Sequence, residues 1–293
     1  MVAALSPQAL SIRGIVKFPK TPSLIFPRLA LQRPGLFRIL PLRTRNAGPA
    51  CCEGEDLDDV ITCRDIRFPA DDRIITPRVA RRLRRDMYET PEVTALAKFL
   101  QPGDRVLELG AGIGFISSFI ARTCDADHIA CVEANPRLCD YIGRVHAENG
   151  VNNASVRNVV ALSDAAPWPE DGRMPFYLAD PFWSASLTPP RDGSAVEVGV
   201  QAVRLSDLVA DLRPTVIICD IEGGECDLFE ACDLAGVRHI ALELHTRIYG
   251  GAGVRKVFDD LHRHDFFYHQ KVSRGDIVLF ERLKASARSV TRG

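Results

Sequence analysis

The sequence has no run approaching the roughly 18–20 uninterrupted apolar residues that a membrane helix needs, so no span is expected. It also lacks any CxxC pair. Nine cysteines scattered through 293 residues form neither a disulfide framework nor the ligand spacing of a zinc ribbon. Acid is missing from the first fifty residues, which hold eight Lys/Arg and seven prolines from Pro7 to Pro49. Removing those eight from the 37 basic residues leaves 29 against 38 acidic in 51–293, a net charge of −9. A body of that sign is a poor binder of polyanions.

The prolines allow no helix or strand pattern to persist in the N-terminal segment. Residues 1–55 therefore read as a basic, Pro-rich disordered tail, either leader sequence or transit peptide, and 285–293 as a basic C-terminal tail. A secretory signal lacks its apolar core, because Pro27 and Arg28 cut it. The ordinary soluble composition between the tails leads to the expectation of a cytoplasmic protein with one domain over 56–284.

Within that domain, Cys63–Phe68 reads as a short strand. Pro77–Met87 reads as a helix with Val79, Leu83 and Met87 on one face and Arg78, Arg81, Arg82 and Arg85 largely opposite. A basic run of this kind is ordinarily a solvated face; gripping an anionic substrate is its alternative. A second helix is expected over Pro91–Leu100. Strand-like runs at 105–109, 129–133, 156–160, 216–220 and 239–243 then alternate with helical patterns at 116–122, 137–148 and 227–234. Such alternation predicts a mostly parallel, doubly wound α/β sheet covered on both faces. Residues 266–271 and 276–282 read as an antiparallel C-terminal hairpin. The stretch 164–204, rich in Pro, Gly and aromatics, interrupts the alternation as a substrate wall or as cover for the sheet edge.

The strongest chemical signal is Val106-Leu107-Glu108-Leu109-Gly110-Ala111-Gly112-Ile113-Gly114, a strand running through three glycines into a helix. Glycine permits a tight turn and close ligand approach, and the helix adds oriented N–H groups. The dinucleotide fingerprint is GxGxxG; here the spacing is GxGxG, with Phe115 where that form has its third glycine. Glu108 suits a cationic amino group better than a pyrophosphate. Glu133 closes the next strand, 23 residues after Gly110, near the spacing at which an acid accepts from ribose hydroxyls. Leu162, Ser163 and Asp164 follow the third strand as candidates for adenine contact. Asp220 and Glu222 alternate at a later strand end, and Glu243 and His245 close the next. Together they could position a substrate, with a carboxylate or His245 removing a hydroxyl proton; a divalent metal is the lesser reading. Glu225 reads as a first-turn helix acid, and His262, His264 and His269 as structural.

With these pieces in order (VLELGAGIGF, VEANP, NVVALSD, and CDIEGGECDLF followed by ELH), the chain resembles class I S-adenosylmethionine-dependent methyltransferases. Within them it resembles the FkbM-like O-methyltransferase family, over roughly 88–282. The resemblance implies a Rossmann-like seven-stranded sheet with a reversed last strand and S-adenosylmethionine as cofactor. It implies cofactor contacts at Glu108, Gly110, Gly112, Glu133 and near Ser163, with Asp220 and Glu222 beside the methyl group and the acceptor. Gly114 and Asp220 are further expected at the cofactor, with Asp220, Glu222 and His245 as the catalytic group and no metal. The acceptor implied is a hydroxyl of a small molecule or glycan, with no nucleic acid. Gly224 departs from the alanine frequent in the family. Two other classes share the fold, an NAD(P)-dependent oxidoreductase and a catalytically silent binding protein. The GxGxG spacing disfavours the first, and acids at every expected strand end disfavour the second. A nucleic-acid methyltransferase is disfavoured by the acidic body, and Asp180-Pro181-Phe182-Trp183 is only a partial echo of the amino-methylating motif.

Overall fold

A computed structural model describes residues 59–180, 185–187, 189 and 195–284, all within one structural unit. The expected tails 1–55 and 285–293 and Pro181-Phe182-Trp183 lie outside the described residues.

The described chain opens with two strands rather than one. β1 (Val60–Cys63) and β2 (Ile66–Pro69) pair antiparallel, because Arg64 and Asp65 both take left-handed backbone angles, φ 48° and 63°, and reverse the chain. Helix α1 (Pro77–Arg84) starts at Thr76, whose hydroxyl accepts from the Val79 N–H at 3.4 Å, and Pro77 occupies the first turn. It buries Val79, Ala80 and Leu83. Met87 is not on that face: α1 ends first, Asp86 turns at φ 55°, and Met87 stays exposed. Helix α2 (Thr90–Leu96) follows, shorter than expected.

The main sheet has seven strands. β3 (Arg105–Leu109), β4 (His128–Val132), β5 (Ala154–Arg157), β9 (Val216–Cys219) and β10 (His239–Glu243) run parallel, while β11 (Phe266–Tyr268) and β12 (Ile277–Arg282) form the hairpin. Their order is β11-β12-β10-β9-β3-β4-β5, and β12 lies antiparallel between β10 and β11. The reversed last strand, β12, is thus present as expected, one place in from the edge.

Strand alternation divides the core in two. Val106, Ile129, Cys131, Val216 and Ile218 face α3 (Phe115–Thr123), α4 (Pro136–Glu148) and the N-terminal elements. Leu107, Leu109, Val132, Ile217 and Leu242 face α5 (Leu205–Leu212), α6 (Glu225–Leu228) and α7 (Thr246–Arg263). The N-terminal hairpin is fastened to α4 by the Tyr141 hydroxyl donating to the Pro69 carbonyl at 2.7 Å and by Asn149 bonding both ways to Arg67.

Three expectations need correction. The run 156–160 is not one strand: β5 stays in the main sheet, and β6 (Val159–Leu162) leaves it for a second sheet of order β6-β8-β7. Asn158 makes the break, its side-chain amide donating to the Glu133 and Ala134 carbonyls at 2.9 Å each. The insertion 164–204 is accordingly built of strands, β7 (Arg173–Leu178) and β8 (Val196–Arg204), with β8 parallel to β6. The helix expected over 227–234 is only the single turn α6, since Ala231 takes φ 57° soon after it.

Candidate functional site

One cavity of about 700 Å³ opens at the carboxyl ends of β3, β4, β6, β9 and β10. That is where open α/β sheets take ligands, and the volume suits a nucleoside-sized molecule.

Its floor is the glycine turn. Gly110, Gly112 and Gly114 all have positive φ, 82°, 55° and 76°. Gly110 allows the closest approach among the described glycines: a Cβ there would sit 1.7 Å from the Asp220 carbonyl oxygen, so β3 and β9 can end side by side only with glycine. Gly112 faces open space and lines the cavity. Gly114 does not line it. Instead it lets α3 pack on Ile142 of α4, so its expected cofactor contact becomes a packing role. Phe115 closes the turn from behind, edge-on to Tyr88 with ring centroids 5.5 Å apart and stacked on Phe68 at 6.1 Å.

Glu133 lines the cavity wall at 7% exposure. Its carboxylate accepts from the Gly112 N–H at 3.0 Å and the Asn135 N–H at 2.8 Å, which ties the turn to the end of β4. Burial pushes its pKa up to about 7 against these hydrogen bonds. Glu108 departs from expectation. It shares the face of Val106, so alternation along β3 points it under the turn, where it is 2% exposed and accepts from the Cys131 thiol at 3.4 Å. It does not line the cavity, and burial raises its pKa to about 8.

Ser163 does line the cavity, but its hydroxyl is committed, donating to the Glu230 carbonyl at 2.8 Å and accepting from the Ala165 N–H at 3.1 Å. Asp164 turns away and accepts from Ser206. Apolar walls come from Val132, Leu138, Val160, Leu162 and Phe176, with Ala185 and Leu187 of the insertion opposite. Trp168 is not part of this wall; it lies over the Arg204 guanidinium at 4.8 Å.

At the far end, His245 organises the acids. Its Nδ1 sits 2.7 Å from Glu225 Oε1, and its Nε2 lies 3.3 Å from Glu222 and 3.6 Å from Asp220. Burial alone would lower the imidazole's pKa, but the surrounding carboxylates win and raise it to about 11. A ring so charged carries protons on both nitrogens. The surrounding carboxylates thus favour the imidazolium, and Asp220, Glu243 and His245 bring potential ligand atoms within 4.8 Å of one another.

Glu225 stands in the first turn of α6 as expected, and in addition it is fully buried and serves as the imidazolium's counter-charge, its pKa lowered against the burial cost by His245. Asp220 and Glu222 line the cavity in front of this pair. The Asp220 pKa is raised to about 8, by burial first and then by Glu243 and Glu222, and its Oδ1 is buried with no hydrogen-bond partner.

Tyr88, Glu89 and Glu92, which no sequence motif marks, also line the cavity. Burial raises the pKa of both acids, and Glu92 Oε2 is buried without a partner. In sequence they look like ordinary acids around Pro91 at a helix start; only the Phe115–Tyr88 packing swings them over the turn.

The cavity thus gathers Glu89, Glu92, Glu133, Asp220, Glu222 and Glu243, all carboxylates, around a glycine cradle. Such a set fits a cationic ligand with an apolar ring, as an adenosyl sulfonium is.

The sequence matches the family model described as the methyltransferase FkbM domain over residues 108–272, more than half of the chain. The chain belongs to the FkbM methyltransferase family. Its cofactor is S-adenosylmethionine, whose sulfonium and ammonium suit the acid-lined cavity. No curated protein matches the sequence. Among solved structures, the precorrin-6y C5,15-methyltransferase of Geobacter metallireducens is 13% identical, with TM-score 0.39, covering 67% of this chain and 88% of that one. TYW2 of M. jannaschii, in complex with AdoMet, is 11% identical with TM-score 0.38, over 80% and 90%. A dimethyladenosine transferase of Plasmodium falciparum is 12% identical with TM-score 0.37, over 68% and 63%.

Proposed function

We propose that this FkbM methyltransferase transfers the methyl group to a hydroxyl oxygen of a small-molecule or glycan acceptor, with Asp220 as general base. The observation that carries this reading is the Asp220 carboxylate, which lines the cavity with one oxygen buried and unbonded. A base with a pKa near 8 is matched to removing a hydroxyl proton at neutral pH.

When bound, S-adenosylmethionine supplies an electrophilic methyl on a sulfonium. Gly110 and Gly112 make room for it, Glu133 is placed to accept from ribose hydroxyls, and the apolar walls exclude water from the adenine. Glu89, Glu92 and Glu243 line the cavity where that charge would lie. Asp220 would hold the acceptor hydroxyl and take its proton. Glu225 and Glu222 hold His245 cationic, and His245 in turn steadies Asp220.

We assign the catalytic domain to 56–284, with 164–204 supplying part of the acceptor wall through Phe176, Ala185 and Leu187. A cytoplasmic setting is in keeping with the seven described cysteines, all free. No helix among the described residues is long and apolar enough to cross a membrane.

The test is incubation of metabolite and glycan extracts with methyl-labelled cofactor, followed by mass analysis of what gains the label. Label on an ether oxygen, lost in Asp220→Asn with cofactor affinity kept, is the expected result. Label on nitrogen or carbon, or normal turnover by that variant, overturns the assignment.

A further inference from the structure

The acid-lined cavity also carries exposed apolar surface. Ile248 lines it and is 61% exposed, the highest value among the large hydrophobic residues described. Leu187, 38% exposed, lines it from the insertion. Single exposed apolar side chains are ordinary on a protein surface. Val196 on β8, exposed and outside the cavity, is one of that kind. Ile248 and Leu187 differ because each is fixed in place in a binding site.

Ile248 belongs to the first turn of α7, where its N–H donates to the His245 carbonyl at 2.8 Å. Gly250, at φ 63°, breaks the helix after this turn, and Tyr249 ties the turn down on both sides of the break. Its hydroxyl accepts from the His245 N–H at 2.7 Å, and a Cβ at Gly253 would come within 2.5 Å of its ring. Ile248 itself rests on the loop that presents Asp220 and Glu222. A Cβ at Gly223 would lie 2.9 Å from Ile248 Cγ2, and positive φ at Glu222 and Gly223, 52° and 105°, keeps that loop tight. Leu187 is fixed by its neighbours. Ser186 pairs with Tyr177 of β7 through backbone bonds of 2.9 and 3.2 Å, and Ala185 is buried.

Two hydrocarbon side chains held in water at a binding site gain when a ligand covers them. Their place says which ligand does so. The carboxylates gather around the glycine turn and the strand ends, as a cationic cofactor requires, whereas Ile248 rests on the loop that bears the base. From this placement we infer that the acceptor hydroxyl is carried on a hydrocarbon body, which packs on Ile248 and Leu187 while the hydroxyl reaches Asp220. The inference rests on the proposed methyl transfer and deepens it. The acceptor is amphipathic, and Ile248 and Leu187 select it against bare sugars.

The experiment measures binding of 1-butanol, 1-hexanol and 1-octanol to the full chain saturated with S-adenosylhomocysteine, by ligand-observed NMR, with sorbitol as the polar control. Affinity is expected to rise by about fourfold per methylene, and sorbitol should not compete. Ile248→Ser and Leu187→Ser should each weaken 1-octanol by about fivefold or more and flatten the dependence on chain length. Val196→Ser, an equally exposed change outside the cavity, should leave 1-octanol binding as it was. Both rim side chains are exposed, so Tm should hold in their variants, which reports that each is folded. If the cofactor product binds but the alcohols do not, or if Val196→Ser weakens them as much, the apolar rim is wrong while the cofactor reading stands. Sorbitol binding as tightly as 1-octanol overturns the rim in the same way. Ether label found only on free sugars in the labelled-extract assay keeps the oxygen acceptor and removes the hydrocarbon body. Failure of S-adenosylhomocysteine to bind the unaltered protein removes both readings at once.

Discussion

At the scale of single residues, the site divides into acids that face the cavity and acids that stand behind it. Glu133 belongs to the first group, with its two backbone hydrogen bonds holding the glycine turn. Glu133→Ala is expected to weaken S-adenosylhomocysteine binding by about tenfold or more by calorimetry, the cost of losing one or two charged hydrogen bonds. Unchanged affinity would remove Glu133 from the site. Glu225 belongs to the second group. Glu225→Gln leaves the buried His245 imidazolium without its nearest counter-charge and should cost about 3 kcal/mol or more of stability, read by urea unfolding. A change below about 0.5 kcal/mol would mean that the pair contributes nothing. Asp220 titrates at the reaction itself. Because its raised pKa makes the carboxylate the minority form in acid, kcat/KM for the cofactor should rise with pH towards about 8. A rate independent of pH between 6 and 9 contradicts a role as base.

Among the elements, the turn between β3 and α3 is the least tolerant of change. Gly110→Ala places a methyl on the Asp220 carbonyl and asks an L-residue to hold φ 82°. The ends of β3 and β9 must then separate, and we expect cofactor binding to be abolished together with a fall in Tm. Gly112→Ala meets no atom within 4 Å, so backbone strain alone should act on the fold, and its Tm should fall less. Equal Tm values for the two variants would show that the β3–β9 contact is not what constrains this turn. A related dependence on backbone geometry explains where sequence patterns misjudged the elements. Asn158 sits inside an unbroken β-like run, and nothing local reveals that its amide will bond to the end of β4 and send β6 into a second sheet. The pair Arg64–Asp65 likewise contains no glycine, yet both residues adopt left-handed angles to close the β1–β2 hairpin.

Over the whole molecule, charge couples folding to the ligand. Glu108, Glu133 and Asp220 all have folded pKa values raised by burial, so each favours the folded state most when protonated. That contribution is complete below their unfolded values near 4 and fades as pH climbs through about 7 to 8. His245 acts in the same direction at higher pH, its contribution lost between 6.5 and about 11, whereas Glu225 opposes it, its contribution full above its unfolded value and lost as pH falls through the lowered folded one. The ligand-free protein should therefore lose Tm between pH 6 and 8. A cationic cofactor should restore more Tm at pH 8 than at pH 6, measured by calorimetry at matched saturation; an equal gain at both values would argue against charge as the link. Much of this molecule was legible from the chain alone. Short β-branched runs alternating with amphipathic helices demand a covered parallel sheet, and three glycines between a strand and a helix demand a turn that admits a ligand, because both follow from local periodicity and backbone sterics. Which way Glu108 points, that Glu225 is the partner of His245, and that Tyr88, Glu89 and Glu92 close over the turn were decided only by the tertiary structure. Burial, and with it the protonation of every acid in the cavity, depends on residues that meet across the sheet from distant parts of the sequence.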